Sequence, residues 1–159
     1  ILLNKNYKGK LHFISDGYKF NLGGTTIETV WTPAHTPGSI VFMDKEAGYC
    51  YSGDAFGSGQ VWLQLKPLAP MKTYIHSCEI MEKWLNNGID SIYCGHYPYP
   101  KQAFSKEYIA NMLILAKSLD NGTNTSAEPY PTRISVGPKN PMLVKLGLAG
   151  IVYDPEHIK

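Results

Sequence analysis

Three side chains that could bind a metal ion follow short apolar stretches of the sequence, each after a tight turn of small residues. His35 ends the stretch ETVWTPAH, Asp54 ends GYCYSGD, and His96 ends DSIYCGH. Because the same ends of neighbouring strands meet at one edge of a sheet, we expect these side chains to converge there. Imidazole nitrogens and carboxylate oxygens are donors that suit zinc, iron or manganese. The pattern therefore indicates a metal site at a sheet edge.

Each of these residues also has a simpler structural explanation. A single histidine after a strand is more often a hydrogen-bonding loop residue, and an aspartate after Ser-Gly is usually a turn residue or a helix cap. The small residues Gly53 and Gly95 directly precede two of the candidates and would let the backbone turn sharply there. It is the repetition of one arrangement at three strand ends that favours a shared site.

The remaining histidines are predicted to be structural. His12 lies on an alternating stretch, His76 shares a helix face with charged residues, and His157 lies in the polar terminus. We therefore expect His12 to be a half-exposed strand residue and His76 to be solvated, with no ligand role for any of the three.

The three cysteines are predicted to pack as small hydrophobic residues. Cys50, Cys78 and Cys94 cannot all pair with one another and lack the spacing of a zinc finger. A disulfide scaffold is therefore not expected. Cys94, two residues before His96, is a weaker candidate for a reactive or metal-proximal thiol.

The elements that must position these residues follow from hydrophobic periodicity. Alternating and short apolar stretches predict strands at 10–14, 18–22, 25–31, 39–44, 48–53 and 89–95. Apolar residues at three- and four-residue spacing predict a helix from Met71 to a stop at Gly88, and another over 106–120 after a Ser105 cap. Residues 121–131 read as a polar linker, and 133–137 and 142–154 as strand-like tail segments.

Composition excludes several classes of protein. The 159 residues carry a formal net charge of +2, with basic residues scattered, which argues against a nucleic-acid partner. No apolar run is long enough to span a membrane. The sequence opens at Ile1 without a Met or a signal-like segment, so we expect a trimmed chain or an internal fragment. Any targeting signal is then not observable, and we favour the cytoplasm.

In order, spacing and flanking residues, the chain resembles the second half of a metallo-β-lactamase-fold protein. The matching stretches are DGYKFNLGGTTIETVWTPAHTPGSIVF, YSGDAFG and YCGH, and the resemblance covers about residues 10–120. It implies an α/β fold of the αββα sandwich type, with a mixed β-sheet flanked by helices. Residues 1–120 would be the C-terminal lobe of that domain, and 121–159 a linker and β-rich extension of it.

The resemblance also implies roles for particular residues. His35 would bind a first metal ion, His96 a second, and Asp54 both, while Thr36 and Ser39 would fix the histidine loop. Two zinc ions are implied in the complete protein, with iron or manganese as alternatives. A metal-activated water would then attack an ester, thioester, amide or phosphoester bond of a small-molecule substrate.

Three aromatic residues are weaker candidates for a substrate pocket. Tyr97, directly after the last ligand, could donate a hydrogen bond to a substrate oxygen. Phe56 and Trp62 follow Asp54 and could line a pocket, although core packing explains them equally well.

The sequence departs from the family in one respect. The signature H-x-H-x-D-H, which supplies the other metal ligands, does not occur in it. We therefore expect this chain alone to be inactive or to bind metal weakly, and to pair with an N-terminal lobe or a second copy. The alternatives are a non-catalytic lobe that serves in assembly or binding, and an iron-dependent oxidoreductase of the same fold.

Overall fold

A computed structural model describes residues 9–33, 35–67, 69–96, 100–131 and 137–159. Over these ranges the chain forms two β-sheets and two α-helices, the mixed α/β architecture expected. In chain order the elements are β1 (Lys19–Asn21), β2 (Thr26–Trp31), β3 (Ile40–Asp44), β4 (Tyr49–Gly53), β5 (Val61–Trp62), α1 (Met71–Leu85), β6 (Ser91–Cys94), α2 (Lys106–Asp120), β7 (Glu128–Pro129), β8 (Met142–Leu146) and β9 (Ala149–Tyr153).

The first sheet has the strand order β1-β2-β3-β4-β6. Its first four strands are antiparallel neighbours, and β6 joins β4 in parallel after the crossover through α1. Gly23, at φ 86°, makes the predicted turn between β1 and β2. Because β4 and β6 are parallel, the residues that follow them lie at the same edge of the sheet.

The prediction of a strand at 10–14 is wrong. No strand occurs there, and the side chains of Leu11 and Phe13 are 49% and 86% exposed. The alternation of apolar and polar residues has no neighbouring strand to pair with in the described ranges, so it buries nothing. His12 is therefore an exposed residue of an irregular segment rather than of a strand.

The second sheet has the order β5-β9-β8-β7. The tail segment predicted at 142–154 is a hairpin rather than one strand, because Gly147 turns the chain at φ 57° between β8 and β9. The short strand β5, not predicted from the sequence, pairs in parallel with β9 through Val61–Ile151 and Trp62–Val152. The predicted segment 133–137 lies almost entirely outside the described residues.

One continuous apolar core connects both sheets and both helices. The stripe of α1 is buried as predicted, with Cys78 and Met81 fully inaccessible, and its exposed face carries His76. The helix α2 packs on α1 and on the hairpin β8–β9. Neither helix is both long and apolar enough to cross a bilayer, within the ranges that the structure describes.

The other face of the first sheet carries aromatic side chains near solvent. Tyr51 pairs with Phe42 on one side and with Tyr93 on the other, and the Tyr51 and Tyr93 rings stack at 5.9 Å. Tyr49 contacts Tyr93 edge-on at 5.3 Å, and Trp31 is 51% exposed. We refer to this surface below as the aromatic face.

Candidate metal centre and its cavity

His35 lies in the loop that follows β2, and the rest of the fold holds that loop in place. The buried Ser77 hydroxyl of α1 donates to the Pro33 carbonyl oxygen at 3.0 Å. The Nδ1 atom of His35 lies 2.8 Å from the carbonyl oxygen of Trp62. Because a carbonyl oxygen only accepts, this contact places the imidazole proton on Nδ1 and leaves the lone pair on Nε2.

Thr36 and Ser39 close the same loop by hydrogen bonds. The backbone N–H of Thr36 donates to the Ser39 hydroxyl at 3.1 Å, and the two hydroxyl oxygens lie 2.9 Å apart. The Ser39 backbone N–H donates to the Thr36 carbonyl at 3.1 Å. These bonds satisfy the polar groups of a turn that strand pairing cannot reach.

Asp54 and His96 meet where the parallel strands β4 and β6 end. Their Oδ1 and Nε2 atoms lie 3.2 Å apart, and the two side chains are 49% and 66% exposed. The Gly95 backbone N–H donates to the Gly53 carbonyl at 2.8 Å. A Cβ atom at Gly95 would lie 2.8 Å from the Asp54 carboxylate and 3.2 Å from the Gly53 carbonyl carbon. A side chain at position 95 would therefore press against the Asp54 carboxylate and the Gly53 backbone.

All three predicted ligands line one cavity of about 520 Å³. The remaining lining residues are Gly57, Ser58, Gln60, Trp62 and Leu65. Trp62 thus lines this cavity, which was one of the two positions predicted for it. Phe56 does not, because it is fully buried in the core against Tyr74, with ring centroids 6.0 Å apart. Tyr97 lies outside the described residues.

The three predicted ligands share a cavity but do not converge on a single point. Among the residues that the structure describes, one group of three potential ligands has its donor atoms all within 4.8 Å of one another, and it consists of Asp154, Glu156 and His157. His157 was predicted to be a residue of the polar terminus, and its proximity to the two acids was not predicted. The signal that could have found this group is the local spacing D-P-E-H.

The thiols lie in the core. Cys50, Cys78 and Cys94 are free and buried. Burial raises the pKa of Cys50 to about 12, and burial also raises the pKa of Cys78. Burial thus disfavours the thiolate, which is the form that binds metals, and neither Cys50 nor Cys78 lines the cavity.

The family comparison agrees with the resemblance seen in the sequence. The family model for the metallo-beta-lactamase superfamily matches residues 5–96, which is more than half of the chain. The matched stretch ends at His96 and includes His35 and Asp54.

Two kinds of curated relative are similar to part of this chain. Acyl-coenzyme A thioesterase MBLAC2 of Bos taurus and of Homo sapiens is 29% identical over 87 residues, which is 53% of this chain and 30% of that protein. Probable metallo-hydrolase YqgX of Bacillus subtilis (strain 168) is 36% identical over 50 residues, which is 31% of this chain and 24% of that protein. The chain therefore spans less than a third of the length of these relatives.

Solved structures share the fold. A metallo-beta-lactamase family protein from Thermus thermophilus superposes with a TM-score of 0.50 at 17% identity, over 69% of this chain and 36% of that one. ETHE1 from Myxococcus xanthus also gives 0.50 at 17% identity, over 59% of this chain and 40% of that one. At this identity the likeness concerns the fold alone.

Proposed function

The chain belongs to the metallo-beta-lactamase superfamily, and from that premise we propose that it forms part of a metal-dependent hydrolase. His35, Asp54 and His96 are the proposed metal ligands. The observation that carries the proposal is that these three side chains, which come from three separate strand ends, line one cavity.

The chemistry of the donors fits a zinc ion. The Trp62 carbonyl fixes the His35 ring through Nδ1, an outer contact of the kind that orients metal-binding histidines, and so leaves Nε2 as the donor. Asp54 and His96 present a carboxylate oxygen and an imidazole nitrogen 3.2 Å apart. These residues would hold the zinc ion, which would supply a water molecule of lowered pKa and polarise the bond under attack.

The resemblance to the family is the reason to propose two ions rather than one. His35 would hold a first ion, His96 a second and Asp54 both, and all three side chains line the same cavity. Trp62 and Leu65 supply apolar wall to the cavity and would exclude water from the reacting bond. Tyr97, next to His96 in the sequence, is proposed to donate a hydrogen bond to a substrate oxygen.

The proposed substrate is an ester or thioester of a small molecule. Two of the similar proteins are named as an acyl-coenzyme A thioesterase and one as a probable metallo-hydrolase. These names favour a thioester bond over an amide or a phosphoester bond as the one that is hydrolysed.

Further ligands for these ions are proposed to come from a segment or chain that packs on the aromatic face. Zinc sites in proteins use three or four protein ligands, which is more than these three residues can supply to two ions. The aromatic face offers large, partly exposed rings such as Tyr51 and Trp31 to such a partner. An N-terminal lobe with the missing histidines and a second copy of the chain are the two candidates.

Substitution of Asp54 tests the proposal in the full-length protein. We expect Asp54→Ala to lower hydrolysis of an acyl-coenzyme A thioester at least ~100-fold and to reduce bound zinc in parallel, because one residue serves both ions. Activity is measured by thiol release and metal content by mass spectrometry.

His76→Ala is the matched control, because His76 is exposed on α1 away from the cavity lining. It should leave activity and zinc content unchanged. Full activity in Asp54→Ala would refute the assignment. Iron instead of zinc in the purified protein would favour the oxidoreductase alternative. A purified protein that contained no metal and showed no activity would favour a lobe that serves in assembly.

A further inference from the structure

A second cavity, of about 760 Å³, lies beside the segment that follows β9. Asp154, Glu156 and His157 all line it, and their donor atoms lie within 4.8 Å of one another. The His157 Nδ1 atom is 2.8 Å from the Asp154 Oδ2 atom, and the Asp154 side chain is only 10% exposed. We call these three residues the tail cluster.

An independent observation points to a ligand at the same place. Gln64 also lines this cavity, and the residue is only 3% exposed. Its side-chain oxygen accepts no hydrogen bond from any residue that the structure describes. A buried acceptor without a partner is rare and calls for a partner that the protein chain does not supply.

The pairing of β5 with β9 explains why Gln64 and the tail cluster line the same cavity. Trp62 pairs with Val152 in parallel register, and Gln64 and Asp154 each lie two residues beyond that pair. The strand ends therefore bring Gln64 and Asp154 to the same level of the sheet. The cluster is thus a product of the fold as well as of the local sequence.

We propose that the tail cluster binds a divalent transition-metal cation, with the Gln64 amide oxygen as its fourth donor. Two carboxylates and one imidazole are the mixed oxygen and nitrogen donors that zinc or manganese prefers, and the imidazole disfavours calcium and magnesium. The two carboxylates also balance the charge of the cation. This proposal does not depend on the proposed hydrolase.

The lysines of the same cavity leave the carboxylates available. Lys66 and Lys139 line it with exposed side chains. Within the described ranges, neither lysine forms an ion pair with Asp154 or Glu156 at 4.0 Å or less. A cation therefore does not have to displace a lysine from either carboxylate.

The bound cation would fasten the end of the chain to β5. Ile158 already accepts a hydrogen bond from the Met71 backbone N–H at 3.0 Å, which places the segment at the start of α1. Trp62 and Leu65 line both this cavity and the candidate catalytic cavity. The cation would thus stabilise the wall between the two cavities without contacting His35, Asp54 or His96.

The test is a zinc titration of the full-length, metal-free protein that carries His35→Ala, His96→Ala and Asp54→Ala together. This triple variant removes the proposed ligands of the other cavity. We expect calorimetry to detect one equivalent of zinc whose Kd rises at least tenfold on adding Glu156→Gln or His157→Gln. Both side chains are exposed, so folding should be preserved. Glu46→Gln and His12→Gln, which are equally exposed and distant in sequence, are the matched controls and should leave the Kd unchanged.

Two further variants keep the proposal falsifiable. Gln64→Leu should weaken zinc tenfold without lowering the Tm of the metal-free protein, since it removes an unpaired acceptor and keeps the volume filled. If the triple variant does not fold, Glu156→Gln alone should remove one zinc per chain from the otherwise unmodified protein at unchanged hydrolase activity. Equal zinc affinity, or equal zinc content, with and without Glu156→Gln would overturn the proposal.

Discussion

The chain contains two histidine–carboxylate pairs that are built in opposite ways. The Asp54–His96 pair joins the ends of two parallel strands, spans 3.2 Å and is largely exposed. The Asp154–His157 pair lies within one turn of chain, spans 2.8 Å and has a nearly buried aspartate. The closer pair is thus the local one, whereas the pair at the proposed catalytic centre exists only because the fold brings distant residues together.

The construction of each pair determines where it is vulnerable. The Asp54–His96 pair depends on the approach of two turns, so it should respond to backbone changes that leave both side chains intact. The Asp154–His157 pair is supported locally, because the Glu156 backbone N–H donates to Asp154 Oδ1 at 3.0 Å. It should respond mainly to changes in its own side chains.

The largest expected effect that separates the two pairs comes from Gly95→Ala. A methyl group there would lie 2.8 Å from the Asp54 carboxylate and 3.2 Å from the Gly53 carbonyl carbon, so the carboxylate must move and the two turns must shift slightly apart. We expect thioester hydrolysis in the full-length protein to fall about tenfold, because a proposed metal ligand is displaced by a fraction of an ångström. Steady-state kinetics measures it, and zinc binding at the tail cluster should not change.

Gly24→Ala is the control for that substitution. Gly24 has no atom within 4 Å of an added Cβ and no positive φ. Its substitution should leave hydrolysis unchanged. If Gly95→Ala were equally harmless, the close approach of the two turns would not matter for the site.

Local sequence signals predicted part of the fold and of the candidate site. The helix over 106–120 and the turn at Gly23 were predicted correctly because spacing and turn chemistry are local properties. The positions of His35 and Asp54 at strand ends could also be predicted, since each residue follows a short apolar stretch. In each case the signal lies within a few neighbouring residues.

What failed depended on distant partners. The stretch 10–14 has the alternation of a strand but no neighbour to pair with in the described ranges, so Phe13 is exposed. The strand β5 is only two residues long and exists because β9 pairs with it. His157 was set aside as a polar terminal residue, because the sequence does not show that Gln64 lies at the same level of the sheet. The role of Trp62 as the acceptor for His35 was missed for the same reason.

Both histidine–carboxylate pairs offer only nitrogen and oxygen donors to a metal ion. A cysteine that bound a metal at either pair would contradict that description, so the state of the buried thiols is a further test. Because burial raises the pKa of Cys50 from 9.0 to about 12, the folded protein binds more protons than the unfolded protein above pH 9. Stability from this thiol is therefore complete below pH 9 and is lost as the pH rises towards 12. Each such thiol should lower the free energy of unfolding by about 1.4 kcal/mol per pH unit in that window.

Urea unfolding at pH 9 and pH 10 measures this slope, and Cys50→Ala should reduce it. In the native protein at pH 8 we also expect Cys50 and Cys78 to react slowly with a thiol reagent, at rates that zinc does not change. Rapid labelling that zinc suppresses would instead make a cysteine a metal ligand.

The smallest expected effect compares the two histidines directly in the metal-free protein. His96→Ala should change the free energy of unfolding by less than about 1 kcal/mol, because its partner is exposed. His157→Ala should cost more, about 1–2 kcal/mol, because it removes the hydrogen bond that the His157 ring donates to the nearly buried Asp154 carboxylate. Chemical denaturation of both variants with chelator present measures the difference, and equal costs would mean that burial does not distinguish the pairs.

The pairing of β5 with β9 has a consequence for the order of events during translation. On the ribosome, Trp62 emerges long before Ile151 and Val152, so the strand that carries the acceptor for His35 lacks its β9 partner until those residues have been made. The antiparallel strands β1–β4 can pair early, whereas this parallel contact has to wait for β9. A nascent chain stalled before β9 would therefore hold His35 beside an otherwise formed first sheet without the contact that places its proton on Nδ1, and the proposed metal edge would mature after that sheet.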